Sequence, residues 1–303
     1  MVQIKYPYRY ICWGLNIGSE LECPELPVSS NEADVFIHLG QTPQRLPEVK
    51  SRGVYYEMNH DQFLLTVDGV ARYWVRSGRE IIIEPLAAAD NSAIRLYLLG
   101  SAFGALLFQR GLVPFHGSAL DINGRAVVIA GRSAAGKSTL AAVLCRRGHR
   151  LLADDVCVFQ LDAGGRPFVL PAYPRLKLWA DVVDALGQDK QGLVQVRPGL
   201  EKYVVPLDSA FCPHPLLLAA VYILSPFNDD SLEFEPITGQ DKFNALNRNT
   251  YRLRFTKGLP DKSAHYKACL AVSQHARVAR IHRPDALVGL DKLADLVEEE
   301  SSK

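Results

Sequence analysis

The sequence predicts an α/β fold in which a phosphate-loop core follows a β-rich N-terminal part. Three observations carry that expectation. Residues 1–88 hold short runs of β-branched and aromatic residues separated by turn dipeptides. Residues 115–140, FHGSALDINGRAVVIAGRSAAGKSTL, place an apolar strand, a glycine-rich loop and an amphipathic helix in direct succession. Helical patterns near 238–247, 260–275 and 284–299 then follow an apolar run, LLLAAVYIL at 216–224, that reads as a central strand. The expected division is a β-rich domain over 1–88 and a phosphate-loop domain over 89–303.

Within the first part, DVFIHL (34–39) and GVYYEM (53–58) read as strands, and QFLLTVDGVARYWV places two runs around Asp68-Gly69, a hairpin signal. REIIIEP (79–85) follows Ser77-Gly78. Residues 90–110 read as a helix capped by Asp90, Asn91 or Ser92, so densely apolar that it belongs inside the protein rather than on its surface. It is expected to pack between the two parts of the chain, with Gly100 and Gly104 admitting a close backbone neighbour. HGSALDI and RAVVIAG flank Asn123-Gly124, a second hairpin, and the helix that begins in GKSTLAAVLCRRG ends at Gly148. RLLADDVCVFQL resumes a strand, and the EEESSK tail reads as solvated and frayed.

Bulk properties narrow the function classes. The chain has 303 residues, 48% of them hydrophobic and 22% charged, the balance of a globular enzyme with a sizeable core. A formal net charge of +1 gives no global field to attract nucleic acid or an anionic membrane. The six cysteines, at 12, 23, 145, 157, 212 and 269, form no CxxC pair or zinc-spaced cluster. With no signal-peptide layout at the start and no uninterrupted apolar run of spanning length, the expectation is a cytoplasmic protein.

Gly131-Arg132-Ser133-Ala134-Ala135-Gly136-Lys137-Ser138 satisfies GxxxxGK[ST] in full. Such a loop curls its backbone N–H groups inward at a helix N-terminus, where partial positive charge favours phosphate. Gly131, Ser133, Ala134, Ala135, Gly136, Lys137, Ser138 and Thr139 are thus the expected seat of ATP. Lys137 would reach the β- and γ-phosphates, and the Ser138 hydroxyl would ligate Mg²⁺.

Asp154-Asp155 closes the next apolar strand, LLADD. An acidic residue at a strand tip beside a phosphate loop positions Mg²⁺. Adjacent strand residues face opposite ways, but a kink at the strand end would turn both carboxylates towards the site. One would then serve the metal while the other accepts a proton from an attacking hydroxyl. Alternatively, one of them caps a turn or faces solvent. His116, in the His-Gly pair that opens the hairpin, either holds a structural place or hydrogen-bonds the γ-phosphoryl and orients the acceptor.

The combination HG…AGRSAAGKST…RRGHRLLADDV resembles the catalytic domain of HPr kinase/phosphorylase, a family that phosphorylates a serine of a small phosphocarrier protein. The resemblance covers about 115–160. It implies a P-loop core of the HPr kinase C-terminal type and an active site of His116, Lys137, Ser138, Asp154 and Asp155. It also implies ATP with Mg²⁺, a peptide or protein acceptor and homo-oligomers. The family's Glu- and Arg-containing segment after the aspartates is replaced here by LPAYPRLKLWADVVDALG and VRPGLEKYVVPL. With the start YRYICWGLNIGSELECPEL, that layout is similar to the HPr-kinase-related kinases of peptide natural-product clusters, including those for lasso peptides.

A transferring phosphoryl group needs cations beyond one lysine and one metal. Arg175, Lys177, Arg197, Lys202 and Arg252 lie in Pro- or Gly-punctuated segments of the sort that line sites, and Lys202, Arg175 and Arg252 are the favoured three. Trp179 reads as core rather than as a platform for adenine. The expected activity is transfer of the γ-phosphoryl group of ATP to a serine or threonine hydroxyl, with Asp154 and Ser138 on the metal and Asp155 as base. A small-molecule kinase and a nucleotide-switched binding module remain the alternatives.

Overall fold

The computed structural model describes residues 6–86, 89–197, 199–227, 232–284 and 289–303. The chain divides into two compact units, Met1–Val113 with Arg252–His265, and Pro114–Tyr251 with Tyr266–Lys303.

The first unit is built on an eight-stranded sheet. Its strands are β1 (Tyr8–Cys12), β2 (Leu15–Ser19), β3 (Val35–Leu39), β4 (Ser51–Arg52), β5 (Tyr56–Met58), β6 (Gln62–Val67), β7 (Ala71–Arg76) and β8 (Glu80–Pro85), in the order β1-β2-β3-β8-β7-β6-β5-β4. The Asp68-Gly69 signal is a tight turn that pairs Val67 with Ala71. Along β7, buried Ala71, Tyr73 and Val75 alternate with half-buried neighbours, the period-two pattern of a sheet covered on one face. The cover is α1 (Asn91–Tyr97), a π-helical turn at Leu98–Ala102 containing Gly100, and α2 (Phe103–Gln109). Asp90 caps α1 by accepting the Ser92 N–H, and the Tyr73 hydroxyl donates to the Ile94 carbonyl at 2.9 Å. The 3₁₀ turn Leu253–Gly258 returns to this unit, where Phe255 packs on Tyr56 and Phe63.

The expected boundary at 88/89 is therefore displaced. The helix over 91–109 packs on β6 and β7 and joins the first unit, because its apolar face covers that sheet. Residue 88 itself lies outside the described residues. Among the described residues, 91–109 is the one helical stretch long and apolar enough to cross a membrane, and 61% of it is buried in the protein.

The second unit begins at the end of β9 (Val113–Phe115) with the hairpin β10 (Gly117–Ile122) and β11 (Arg125–Gly131). Asn123 and Gly124 both have positive φ, +55° and +77°, the conformation that a two-residue hairpin with the sheet's twist requires. Next come α3 (Lys137–Arg146), β12 (Arg150–Ala153), β13 (Cys157–Leu161), β14 (Pro167–Leu170), β15 (Arg175–Trp179), α4 (Ala180–Ala185), β16 (Val194–Gln195) and β17 (Lys202–Pro206). The unit closes with β18 (Leu216–Phe227), β19 (Glu233–Pro236), α5 (Gly239–Arg248), α6 (Ser263–His275) from Tyr266 onward, β20 (Arg277–Pro284) and α7 (Leu290–Ser302). β18 is the central strand, parallel to both β11 and β20.

A small second sheet, β15-β17-β16, leaves β15 at its edge. Leu140, Leu144 and Ala141 of α3 pack on Leu120, Val127 and Ile129 of the hairpin, on Leu176 and Leu178 of β15 and on Leu293 and Val297 of α7. Each such leucine, isoleucine or valine, fully buried, stabilises the fold by about 1.5–3 kcal/mol. The tail is ordered rather than frayed. α7 runs to Ser302, held by Arg147, which binds Asp291, Asp295 and Glu298 on one helix face.

Candidate active site

The phosphate loop leaves β11 and enters α3 as expected. Two glycines have specific steric reasons. A Cβ on Gly131 would stand 2.7 Å from the Leu224 carbonyl oxygen, and one on Gly136 would stand 2.9 Å from Arg283 Nη2. Ala134 takes a left-handed φ of +65° between them, and the turn it makes is closed by the Ala135 N–H donating to the Arg132 carbonyl at 3.1 Å. Arg283, at the end of β20, braces the loop by donating from Nε to the Ala135 carbonyl at 3.0 Å. Lys137 Nζ donates to the Arg132 carbonyl at 2.8 Å, arching across the loop. Burial lowers the Lys137 pKa, against the opposing pull of Asp154 and Asp155.

β12 ends at Ala153, and the chain turns at Asp155 with φ +71° before β13 resumes. The run RLLADDVCVFQL is therefore two strands with the aspartates at the break. Aspartate tolerates this left-handed conformation better than most residues, and the turn brings both carboxylates to one pocket. That cavity, about 260 Å³, is lined by His116, Lys137, Ser138, Thr139, Asp154, Asp155, Lys177, Trp179, Lys202 and Arg283 together with neighbouring residues.

The two aspartates have different surroundings. Asp154 is 5% exposed. Its Oδ1 accepts from Ser118 Oγ at 2.6 Å and Ser138 Oγ at 2.8 Å, and its Oδ2 accepts the Lys177 N–H at 3.2 Å. Asp155 is one-third exposed and ionic: Lys177 Nζ lies 3.2 Å from Oδ2 and His116 Nδ1 3.4 Å from Oδ1. Its packing opposes ionisation, but the Lys177 ammonium and the His116 hydrogen bond outweigh that and hold its pKa far below the usual carboxylate range. Lys177 responds in kind: desolvation opposes its charge, and Asp155 raises its pKa well above the ordinary lysine value.

His116 is anchored at both ends. Its N–H donates to the Asn249 carbonyl at 2.8 Å, and Nδ1 lies 3.1 Å from the Asp155 carbonyl oxygen. With two oxygen acceptors beside it, Nδ1 carries a proton, which turns Nε2 into the ring's second hydrogen-bonding position.

Of the three favoured cations, Lys202 lines the pocket. Arg175 does not: it opens β15 opposite Pro206, and Lys177, two residues further along the same face, takes the place beside the aspartates. Arg252 falls in the first unit, where it caps the 3₁₀ turn with φ +49°, so the second unit builds the pocket without it. Arg197 is exposed and is not a lining residue. Trp179 is not core but 43% exposed. Ser118 and Arg283 were missed. Ser118 stands two positions after His116, at the start of β10, the one local hint of it; Arg283 lies 147 residues beyond Gly136 and leaves no local signal.

Among the described residues no group of three or more His, Cys, Asp or Glu side chains is placed to hold a metal. The oxygens of Ser138 and Asp154, 2.8 Å apart, suit Mg²⁺, which takes one or two protein oxygens and completes its shell with water and substrate phosphates.

Loop, lysine, serine and paired carboxylates together define a phosphate-loop site. Residues 112–165, which hold all of these groups, match the family described as the HPr Serine kinase C-terminal domain, so the resemblance read from the sequence holds over this segment. The HPr kinase/phosphorylase of Lactococcus lactis subsp. cremoris is 55% identical over 146 residues, 40% of this chain and 45% of that protein. That of Latilactobacillus sakei subsp. sakei is 40% identical over 93 residues, 28% of this chain and 29% of that protein. The chain thus spans less than half the length of these curated relatives. Among solved structures, the Hpr(Ser) kinase/phosphatase from Coxiella burnetii is similar at a TM-score of 0.33 and 15% identity, over 62% of this chain and 95% of that one.

Proposed function

We propose that the chain is an ATP- and Mg²⁺-dependent kinase that transfers the γ-phosphoryl group to a serine or threonine hydroxyl of a peptide or small protein. One observation supports this above the others: two carboxylates with separate partners line the phosphate pocket, where a switch that only holds a metal needs one. The likeness over 112–165 to a serine kinase family points the same way.

In this reading the loop amides and Lys137 hold the triphosphate. Ser138 and Asp154 hold Mg²⁺, which supplies charge neutralisation at the phosphates. Ser118 and the Lys177 N–H fix the Asp154 carboxylate for that task. Asp155 receives the acceptor hydroxyl, orients it and takes its proton. Its low pKa makes it a weak base, which suffices because phosphoryl transfer depends mainly on positioning and electrostatics. Lys177 and His116 steady the γ-phosphoryl, and Lys202 meets the phosphates nearer the nucleoside. The β-rich unit would dock the polypeptide acceptor, and all six cysteines, free and buried, fit work in the reducing cytoplasm.

The test is incubation with γ-labelled ATP and a cell extract. Label in a polypeptide supports the proposal; label in a metabolite indicates a small-molecule kinase, and label released only as free phosphate indicates a nucleotide-switched module.

A further inference from the structure

The phosphate pocket is small for its ligand. Seats that enclose a whole small molecule run to about 300–1,000 Å³, and this one measures about 260 Å³. It suits a triphosphate with its metal and leaves the nucleoside at the rim. There stands Trp179, 43% exposed, an indole that the core does not use.

The direction of the triphosphate decides where the base falls. Its γ end belongs beside Asp155 and Lys177, where the acceptor hydroxyl is handled. Along β15, Leu176 and Leu178 point into the core, and Lys177 and Trp179 share the other face. Two residues of strand advance roughly 6.7 Å, comparable with the span of a triphosphate. A chain of phosphates with its γ end at Lys177 therefore delivers its nucleoside to Trp179. Lys202, directly opposite Trp179 on β17, sets its Nζ 5.6 Å from the indole centroid and inside the pocket, within reach of the α-phosphate.

We propose that the Trp179 indole is the stacking platform for the nucleobase. This rests on reading the site as one for a nucleoside triphosphate. The rival seat is a cleft of about 990 Å³ that borders Gly131–Ala135 but none of Lys137, Ser138 and Thr139, and so meets the loop at its N-terminal half.

Calorimetric titration with MgATP and with magnesium tripolyphosphate, which has no base, separates these cases without an acceptor. Trp179→Ala weakens MgATP binding by about tenfold or more, the scale of one base–aromatic stack, and leaves tripolyphosphate binding unchanged. Trp179→Phe keeps most of the affinity. Unchanged MgATP affinity in Trp179→Ala, or equal loss of both ligands, overturns the platform. So does a wild-type protein that binds MgATP no more tightly than tripolyphosphate. A wild-type protein that binds neither ligand, or Lys137→Ala binding both as tightly as wild type, defeats the nucleotide reading itself and the platform with it.

Discussion

Lys177 holds Asp155 by its ammonium, 3.2 Å from Oδ2, and with its own N–H it holds the neighbouring Asp154. A single residue of β15 thus sets both carboxylates of the pair, one by charge and one by a backbone hydrogen bond. Asp155 is kept ionised and Asp154 is kept oriented, which is the division of labour the proposed transfer requires.

Asp155→Asn keeps the side chain's shape and suits the left-handed backbone at φ +71°. It is expected to bind MgATP as wild type does while turnover falls by about 10²–10⁴-fold, the usual range for a lost acid–base group. Titration calorimetry and a transfer assay check the two halves. Robust transfer by this variant would falsify the base assignment.

The Lys177–Asp155 pair also sets a pH dependence. Asp155 has a depressed pKa in the folded protein, so its contribution to stability is present above its unfolded value of about 3.9 and is lost as pH falls below that towards the folded value. The stability gap between wild type and Asp155→Asn is expected to be flat from about pH 5 to 8 and to narrow below about pH 4. Lys177→Met removes the cation and leaves the packing that favours the neutral acid. The acid limb of its activity should therefore move to higher pH than in wild type. Urea unfolding and pH–rate profiles measure these effects, and identical acid limbs in the two proteins would contradict the account.

Ser118 is fully buried and donates to Asp154 at 2.6 Å. Ser118→Ala is expected to cost about 1.5–3 kcal/mol, as for a hydrogen bond to a charged group, and to raise the Mg²⁺ concentration needed for half-maximal activity. Loss of stability with an unchanged Mg²⁺ requirement would show that Ser118 serves the fold alone.

Arg147 ties the end of α3 to α7 through Asp291, Asp295 and Glu298, and these partners hold its guanidinium pKa above the ordinary value. Arg147→Ala should lower stability by about 1 kcal/mol, less at high salt, with no change in MgATP affinity. A weakened affinity would place this network in the site rather than in the scaffold.

The parts of the site that were legible in the sequence are those written locally. Gly131–Ser138 needs only its own spacing and the strand and helix around it, and the Asn123-Gly124 hairpin needs only two residues. Asp154-Asp155 was readable as a pair, and a strand-end kink was anticipated; the φ of +71° that realises it is set by the fold. Choosing Lys177 over Arg175 depends on the β15–β17 register and on the bond from the Lys177 N–H to Asp154, neither of which leaves a local mark. Trp179 reads as core because a large indole next to Leu176 and Leu178 looks buried with them. At the edge of a small sheet, only the leucine face is. The helix over 91–109 was readable as buried, but which sheet it covers is a tertiary choice.

The central claim is transfer to a hydroxyl, and the chemical stability of the labelled product tests it most directly. After reaction with γ-labelled ATP and a library of serine- and threonine-containing peptides, the account predicts acid-stable label on a serine or threonine, absent with Lys137→Ala and Asp155→Asn. Acid-labile label, or label recovered only as inorganic phosphate, would contradict it.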